Sequence, residues 1–162
     1  MLDWENRAPE VKYLLNPAFC GRLIYTVLKE YEKQKNAPMP FPLVYLILPL
    51  VLHKQTRDTI SSSTRLLNWI QTHQNLLIGF ASRVRGMIDI TNETLDFLLG
   101  LGIVQISNSG SVVRTDVIDK LSENKFCNEE IKECINKSKH IAKWFAKAGS
   151  VTTIYVYFGV RP

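Results

Sequence analysis

The chain has 162 residues, of which 46% are hydrophobic and 22% are charged, and its formal net charge is +5. These values are ordinary for a folded globular protein and exclude disorder on grounds of composition. The modest positive charge permits contact with nucleic acid or with an acidic protein surface, but it requires neither. We therefore expect residues 1–162 to form a single domain.

Cysteine usage and hydropathy predict a cytoplasmic protein. The chain contains three cysteines, Cys20, Cys127 and Cys134. This odd number without a C-x-x-C pair favours reduced thiols. The first residues are acidic and lack the apolar core of a secretory leader, so export is not expected. The apolar run from Phe41 to Leu52 contains two prolines and is shorter than the roughly 20 residues of a membrane span, so it predicts a core helix.

The predicted elements begin with an N-terminal arm. Residues 1–15 mix aromatic and charged side chains, and we expect them to dock through their aromatics. Asn16-Pro17 then predicts a helix start, because Asn is a favoured N-cap and Pro fits the first turn. Phe19, Leu23 and Val27 begin an apolar stripe at steps of four, which predicts an amphipathic helix of about 17 residues. A helical core over residues 16–118 is expected to start here.

The middle of the chain predicts further helices. The apolar run is expected to lie at the centre of the core, with a kink or a lost hydrogen bond at Pro49. Residues 61–64 offer several N-cap candidates for a helical stretch that extends to about Arg85, with a break near His73. Thr91-Asn92 is predicted to cap a short helix that ends at Gly100 or Gly102.

A β-hairpin is predicted near residues 103–115. Two short β-prone runs flank Asn108-Ser109-Gly110, which is turn chemistry. A helix followed by such a hairpin is typical of a winged helix, although any β-hairpin packed on helices would give the same pattern. The fold class we expect is mainly α with a small β-hairpin (α+β), in one winged-helix-like domain.

The last part of the chain, residues 119–162, is predicted to be helical. A long helix is expected from about Asn128 to Ala148. The segment from Val151 to Phe158 is ambiguous, because its β-branched residues also suit a strand. Ser150 as an N-cap and Gly159 as a stop favour a helix.

Catalytic and metal-site signatures are missing from the sequence. The three histidines, His53, His73 and His140, do not have metal-ligand spacing. There is no glycine-rich phosphate loop and no nucleophile-elbow motif. A dyad of Cys20 with a histidine is disfavoured because Cys20 stands on an apolar helix flank. We therefore expect a protein that is not an enzyme and that holds no metal and no cofactor.

Basic residues are the candidates for contact with nucleic acid. They are Arg57, Arg65, Arg83, Arg85, Arg114, Lys132, Lys139 and Lys143. Such side chains neutralise phosphates without necessarily reading base sequence, although scattered lysines on a helix are more often a solvated face. The segment before the hairpin, Thr91 to Gly100, has no Arg or Lys, which disfavours reading of the major groove. A winged-helix DNA-binding regulator is nevertheless the main alternative function.

Several segments together resemble a known family. They are Pro9-Glu10-Val11, Leu15-Asn16-Pro17-Ala18-Phe19-Cys20-Gly21, Met39-Pro40-Phe41-Pro42-Leu43, Leu48-Pro49-Leu50-Val51-Leu52-His53-Lys54 and the ending Gly159-Val160-Arg161-Pro162. In their joint order they are similar to the middle component of three-component ABC-ATPase systems. This group includes the small third subunit of Lamassu-type bacterial defence operons.

The resemblance implies an adaptor in an anti-phage or anti-plasmid defence complex. In such systems an SMC- or Rad50-like ABC ATPase senses foreign or aberrant DNA, and a separate effector, often a nuclease, causes the damage. The middle component is expected to connect the two and to meet DNA at most non-specifically, through the complex. Asn16, Phe19 and Arg161 are the positions we expect at, or shaping, a partner interface.

Overall fold

The computed structural model describes residues 15–117 and 128–161. Within these ranges the chain is mainly helical with a small antiparallel sheet, as the sequence predicts. The elements in chain order are α1 (Pro17–Lys35), β1 (Met39–Pro40), a 3-10 helix (Phe41–Leu43), α2 (Val44–Val51), α3 (Lys54–Thr59), α4 (Leu66–Thr72), α5 (Gln74–Leu77), α6 (Phe80–Gly86), α7 (Ile88–Gly100), β2 (Val104–Ile106), β3 (Ser111–Arg114), α8 (Glu129–Lys147) and α9 (Val151–Phe158).

The predicted hairpin is present as β2 and β3, and it gains a third strand. The order is β1-β3-β2, with both pairings antiparallel. Met39 of β1 pairs with Val112 of β3, and both side chains are buried. The sequence did not predict β1, because two residues that include a proline carry no strand pattern. A winged-helix assignment remains a prediction.

The first helix is fixed at both ends and packs tightly. The Asn16 side chain caps its start, as predicted, and Asn36 ends it in the left-handed conformation at φ 53°. The helix packs mainly on α8 and α7. Gly21 permits the approach to α7, since a Cβ there would lie 3.1 Å from Leu98 Cδ2.

The apolar run occupies the centre of the core, as predicted. Every residue of α2 except Tyr45 is buried, and contacts with α1, α3, α6, α7 and α8 surround it. Pro49 lies inside the helix and has no N–H to donate to the Tyr45 carbonyl. The helix ends two residues later, at Val51.

Two sequence predictions about helix starts are wrong. Thr91-Asn92 does not cap α7, which begins at Ile88. The Thr91 N–H donates to the Met87 carbonyl as an interior helical residue, and its side chain is buried. Residues 61–64 do not cap α4 either, because its N-cap is Arg65 and makes no side-chain capping bond.

The breaks between the middle helices follow local backbone chemistry. The predicted break at His73 is present between α4 and α5. A second break, which was not predicted, occurs at Gly79, whose φ of +74° favours glycine. Helix α3 was not predicted because KQTRDT has no apolar stripe; it buries Thr56 and Arg57 instead.

The C-terminal elements confirm the helical interpretation. Asn128 Oδ1 caps α8, and Ser150 Oγ caps α9 by accepting the Thr153 N–H. Gly159 ends α9 at φ 64°. The Tyr155 hydroxyl donates to the Pro42 carbonyl at 2.6 Å, which joins α9 to the 3-10 helix. The predicted arm, apart from Leu15, and Cys127 lie outside the described residues.

Candidate interaction surfaces

Asn16 and Phe19, predicted at a partner interface, have structural roles within α1. Asn16 Oδ1 accepts hydrogen bonds from the N–H groups of Ala18 and Phe19 at 2.8 and 3.0 Å. Phe19 is half-buried and packs against the core. Both residues therefore fix the start of α1, and a partner that met this end of the helix would meet a surface that they shape.

Arg57 is buried and committed to ion pairs within the chain. Only 2% of the residue is exposed. Nη2 lies 2.7 Å from Glu130 Oε1, Nε lies 3.4 Å from Glu133 Oε2, and Nη1 donates to the Val51 carbonyl at 3.0 Å. This burial and pairing count against the predicted contact of Arg57 with nucleic acid, because the guanidinium presents no free charge at the surface.

Arg114, on the hairpin, also contacts the chain itself. Nε lies 2.8 Å from Glu32 Oε2, and Nη1 donates to the Tyr25 hydroxyl at 3.1 Å. Burial alone would lower the pKa of Arg114, but its hydrogen bonds to Glu32 and Tyr25 raise the pKa above the ordinary value. This arginine joins β3 to α1.

The middle arginines differ in exposure. Arg65 is exposed at the start of α4. Arg83 is half-buried over the Phe80 ring, donates to the Leu76 carbonyl at 2.8 Å, and has its pKa lowered by burial. Arg85 is exposed, and its Nη2 lies 3.3 Å from Ser82 Oγ. Arg65 and Arg85 are therefore the two of this group that present charge freely to solvent.

Three of the five lysines of α8 form a solvent-facing group, which we name the α8 lysine face: Lys132, Lys139 and Lys143. Their spacing of seven and four residues places them on one side of the helix. The buried residues, among them Cys134 and Ile141, lie on the other side. Lys132 Nζ lies 2.6 Å from Glu129, which reduces the net charge of the face.

The solvent side of α7 carries the opposite charge. We name it the α7 acidic face: Asp89, Asn92, Glu93 and Asp96. The sequence of α7 contains three acidic residues and no Lys or Arg. The sequence predicted that the helix before the hairpin has no cations to read bases. Because α7 begins at Ile88 and so also includes Asp89, it is more acidic than the sequence predicted. Phe97 and Leu101, which are 38% and 53% exposed, border this face and add apolar surface to it.

A groove of about 590 Å³ lies where α9 and the C-terminal tail meet the 3-10 helix, α2, α6 and α7. We name it the Arg85–Arg161 groove. Its described lining consists of Phe41, Pro42, Tyr45, Ala81, Val84, Arg85, Ile88, Tyr155, Gly159, Val160 and Arg161. Sequence reasoning assigned Arg85 to nucleic acid and Arg161 to a partner. Nothing local in the sequence indicated that two residues so far apart share one groove.

The two cysteines in the described part of the chain, Cys20 and Cys134, are buried. Burial raises the pKa of the Cys20 thiol to about 12, so it is not a thiolate at neutral pH. Burial also raises the pKa of Cys134. No group of His, Cys, Asp or Glu in the described ranges could hold a metal ion. Among the same residues, no helix has the length and apolar character needed to cross a membrane.

Comparison with known proteins identifies the chain as a relative of one family. The family model described as ABC-three component (ABC-3C) system Middle Component 3 matches residues 4–162. No curated protein and no solved structure matches the chain. The match therefore covers the α7 acidic face, the α8 lysine face and the Arg85–Arg161 groove together.

Proposed function

Because the chain belongs to the ABC-three component (ABC-3C) system Middle Component 3 family, we propose that it is a non-catalytic adaptor that holds an ABC ATPase and an effector together. The family makes the chain one component of a larger system. The family match over residues 4–162 is the observation that carries the proposal, because it extends over nearly all of the given sequence and describes a middle component of a larger system.

Two charged surfaces support a bridging role. Helices α7 and α8 both pack on α1, and each turns its other side to solvent. That side is acidic on α7 and bears lysines on α8. Charge complementarity selects partners and sets the orientation in which they dock. We propose that the α7 acidic face meets one component and the α8 lysine face meets the other.

We also propose the kind of system to which the chain belongs, its partners and its location. We place the system among Lamassu-type anti-phage defence, with an SMC- or Rad50-like ATPase, a nuclease effector and a cytoplasmic location. The resemblance of the segments around Asn16, Phe41 and Arg161 supports this assignment. Movement of the ATPase would release or realign the effector, which requires the adaptor to contact two states of the ATPase differently.

A winged-helix core is also proposed. The chain runs from helix α1 to strand β1, then through helices α2 to α7 to the hairpin of β2 and β3, and β3 pairs with β1. This element order is the one expected of a winged helix. The helix before the hairpin would be α7, the position from which such proteins read DNA. Its acidic face would repel phosphates, so the position favours a protein partner over an operator. Any DNA contact is therefore assigned to the α8 lysine face and is expected to be sequence-blind.

Charge reversal on each face tests the adaptor proposal. We expect Asp89→Lys with Asp96→Lys to weaken binding of one purified component, and Lys139→Glu with Lys143→Glu to weaken binding of the other. All four positions lie on solvent-facing sides, so both variants should fold. If both components bind either variant as they bind the native chain, the assignment of the two faces is wrong. Tight, sequence-specific binding of a duplex by the chain alone would instead favour the regulator.

A further inference from the structure

The Arg85–Arg161 groove combines an apolar floor with positive charge. Among the described residues that line it, aromatic, aliphatic and proline side chains predominate, and the charged ones are Arg85 and Arg161. Neither guanidinium lies within 4 Å of a carboxylate in the described part of the chain. An anionic group that entered the groove would therefore meet two cations that no acidic side chain of residues 15–117 and 128–161 neutralises.

The walls of the groove are fixed before any ligand arrives. The Tyr155 hydroxyl donates to the Pro42 carbonyl at 2.6 Å, and the Tyr45 hydroxyl donates to Asn92 Oδ1 at 2.7 Å. The Phe41 and Tyr45 rings meet edge to face with centroids 5.6 Å apart. A surface that is ordered in advance loses less conformational entropy when a partner binds.

We propose that this groove binds a peptide segment of a partner component in which an Asp or Glu side chain is flanked by apolar residues. The inference rests on the proposed adaptor function and names one of its contact sites. The carboxylate would pair with Arg85 and Arg161, because a guanidinium can donate two parallel hydrogen bonds to the oxygens of a carboxylate. The apolar neighbours would cover Ile88, which is 39% exposed, and the aromatic floor.

Nucleic acid fits the groove less well than an acidic peptide. Binding along a phosphate backbone requires a stripe of cations, and the described lining has two. Asp89 follows Ile88 directly on α7, so a backbone continuing past the groove would meet the α7 acidic face. An acidic peptide gains its charge pairing at one point and its apolar contacts within the groove, and it need not continue along that face.

The first test measures binding of the two purified partner components to the chain by calorimetry. We expect Arg85→Glu with Arg161→Glu to weaken the binding of one component about tenfold or more and to leave the other unchanged. The matched control is Lys29→Glu with Lys33→Glu, which makes the same charge change at exposed positions outside the groove. Both variants are expected to melt at the native temperature, because all four side chains are exposed.

The second test identifies the occupant directly. A photo-crosslinking amino acid in place of Ile88 should, in the assembled complex, capture a peptide of that same component containing Asp or Glu beside apolar residues. Reversing that acidic residue to Lys in the partner should restore binding to the Arg85→Glu and Arg161→Glu variant. A crosslink to a second copy of the chain overturns the proposal. It is also overturned if the Arg85→Glu and Arg161→Glu variant loses binding of an oligonucleotide but still binds both partner components.

The tests distinguish an error in the adaptor function from an error in the choice of the groove as a contact site. If the native chain binds neither component, the adaptor function itself is wrong. If the native complex forms and the groove variant binds both components as the control variant does, the adaptor function stands and the groove is not its contact site.

Discussion

Arg57 Nη2 lies 2.7 Å from Glu130 Oε1, so a buried arginine of α3 is joined to the first turn of α8, 73 residues further along the chain. The guanidinium also reaches Glu133 and the Val51 carbonyl. Both carboxylates remain substantially exposed, whereas the arginine is not. The arginine therefore depends on the glutamates for its charge compensation, and the glutamates depend far less on the arginine.

This asymmetry predicts the cost of breaking the pair. Glu130→Ala with Glu133→Ala leaves the buried guanidinium with the Val51 carbonyl, and we expect unfolding free energy to fall by about 2 kcal/mol. Lys54→Ala with Asp58→Ala removes an exposed pair on α3 and should cost less than about 1 kcal/mol. Urea unfolding measures both variants. Equal costs would mean that water compensates Arg57 without its glutamates.

Gly21 predicts a steric limit on the contact between α1 and α7. A side chain at this position would press on Leu98, so Gly21→Val is expected to cost about 1–3 kcal/mol of stability. Gly86→Ala is the matched control, because nothing lies within 4 Å of its Cβ position. Removing that glycine from a helix should stabilise the protein by about 0.5 kcal/mol. Thermal melting of the two variants in opposite directions is the expected result.

Local signals made much of the fold predictable. Asn16 and Ser150 each cap a helix as predicted, because a cap depends on a few neighbouring residues. The hairpin was predictable for the same reason. The start of α7 was not, because Thr91 has the sequence character of a cap and is instead drawn into the helix by its burial against the core.

Features that depend on distant residues could not be predicted. The six-residue helix α3 has the composition of a surface segment, and the burial of Arg57 within it depends on Glu130 and Glu133, far along the chain. The same is true of the groove, which Arg85 and Arg161 line together only in the folded chain. Positive charge made Arg85 a candidate and the family resemblance made Arg161 one, but neither could indicate that the two share a site.

Substitutions of Asn16 can distinguish a role in capping α1 from direct contact with a partner. We expect Asn16→Ala to lower stability by about 1 kcal/mol, and Asn128→Ala on α8 to do the same, since each removes one N-cap. Asn16→Ser keeps a capping oxygen and should retain both stability and assembly with the partner components. If the Ser variant melts like the native chain but loses a partner, Asn16 contacts that partner directly.

Two histidines predict lower stability in acid. Burial and the nearby Arg83 lower the pKa of His53, and burial with Lys143 and Lys137 lowers the pKa of His140. In the window below the ordinary value of about 6.5, the unfolded chain binds more protons than the folded one. This contribution to stability is therefore complete above that window and is lost as the pH falls through the folded-state pKa values.

The pH dependence can be measured by thermal melting at about pH 7.5 and about pH 5.5. The native chain should melt at a lower temperature in acid. The His53→Asn and His140→Gln variant keeps polar groups at both positions but does not titrate there, so the difference between the two pH values should be smaller. An undiminished difference would show that groups other than these two histidines cause the loss.

The adaptor function requires that this chain connects two larger proteins. The direct measurement is the mass, by light scattering after gel filtration, of the ABC ATPase and the effector purified separately and mixed with or without the chain. We predict that the two co-elute as one complex when the chain is present and elute separately when it is omitted. Association of the ATPase and the effector to the same extent without the chain would contradict the adaptor function.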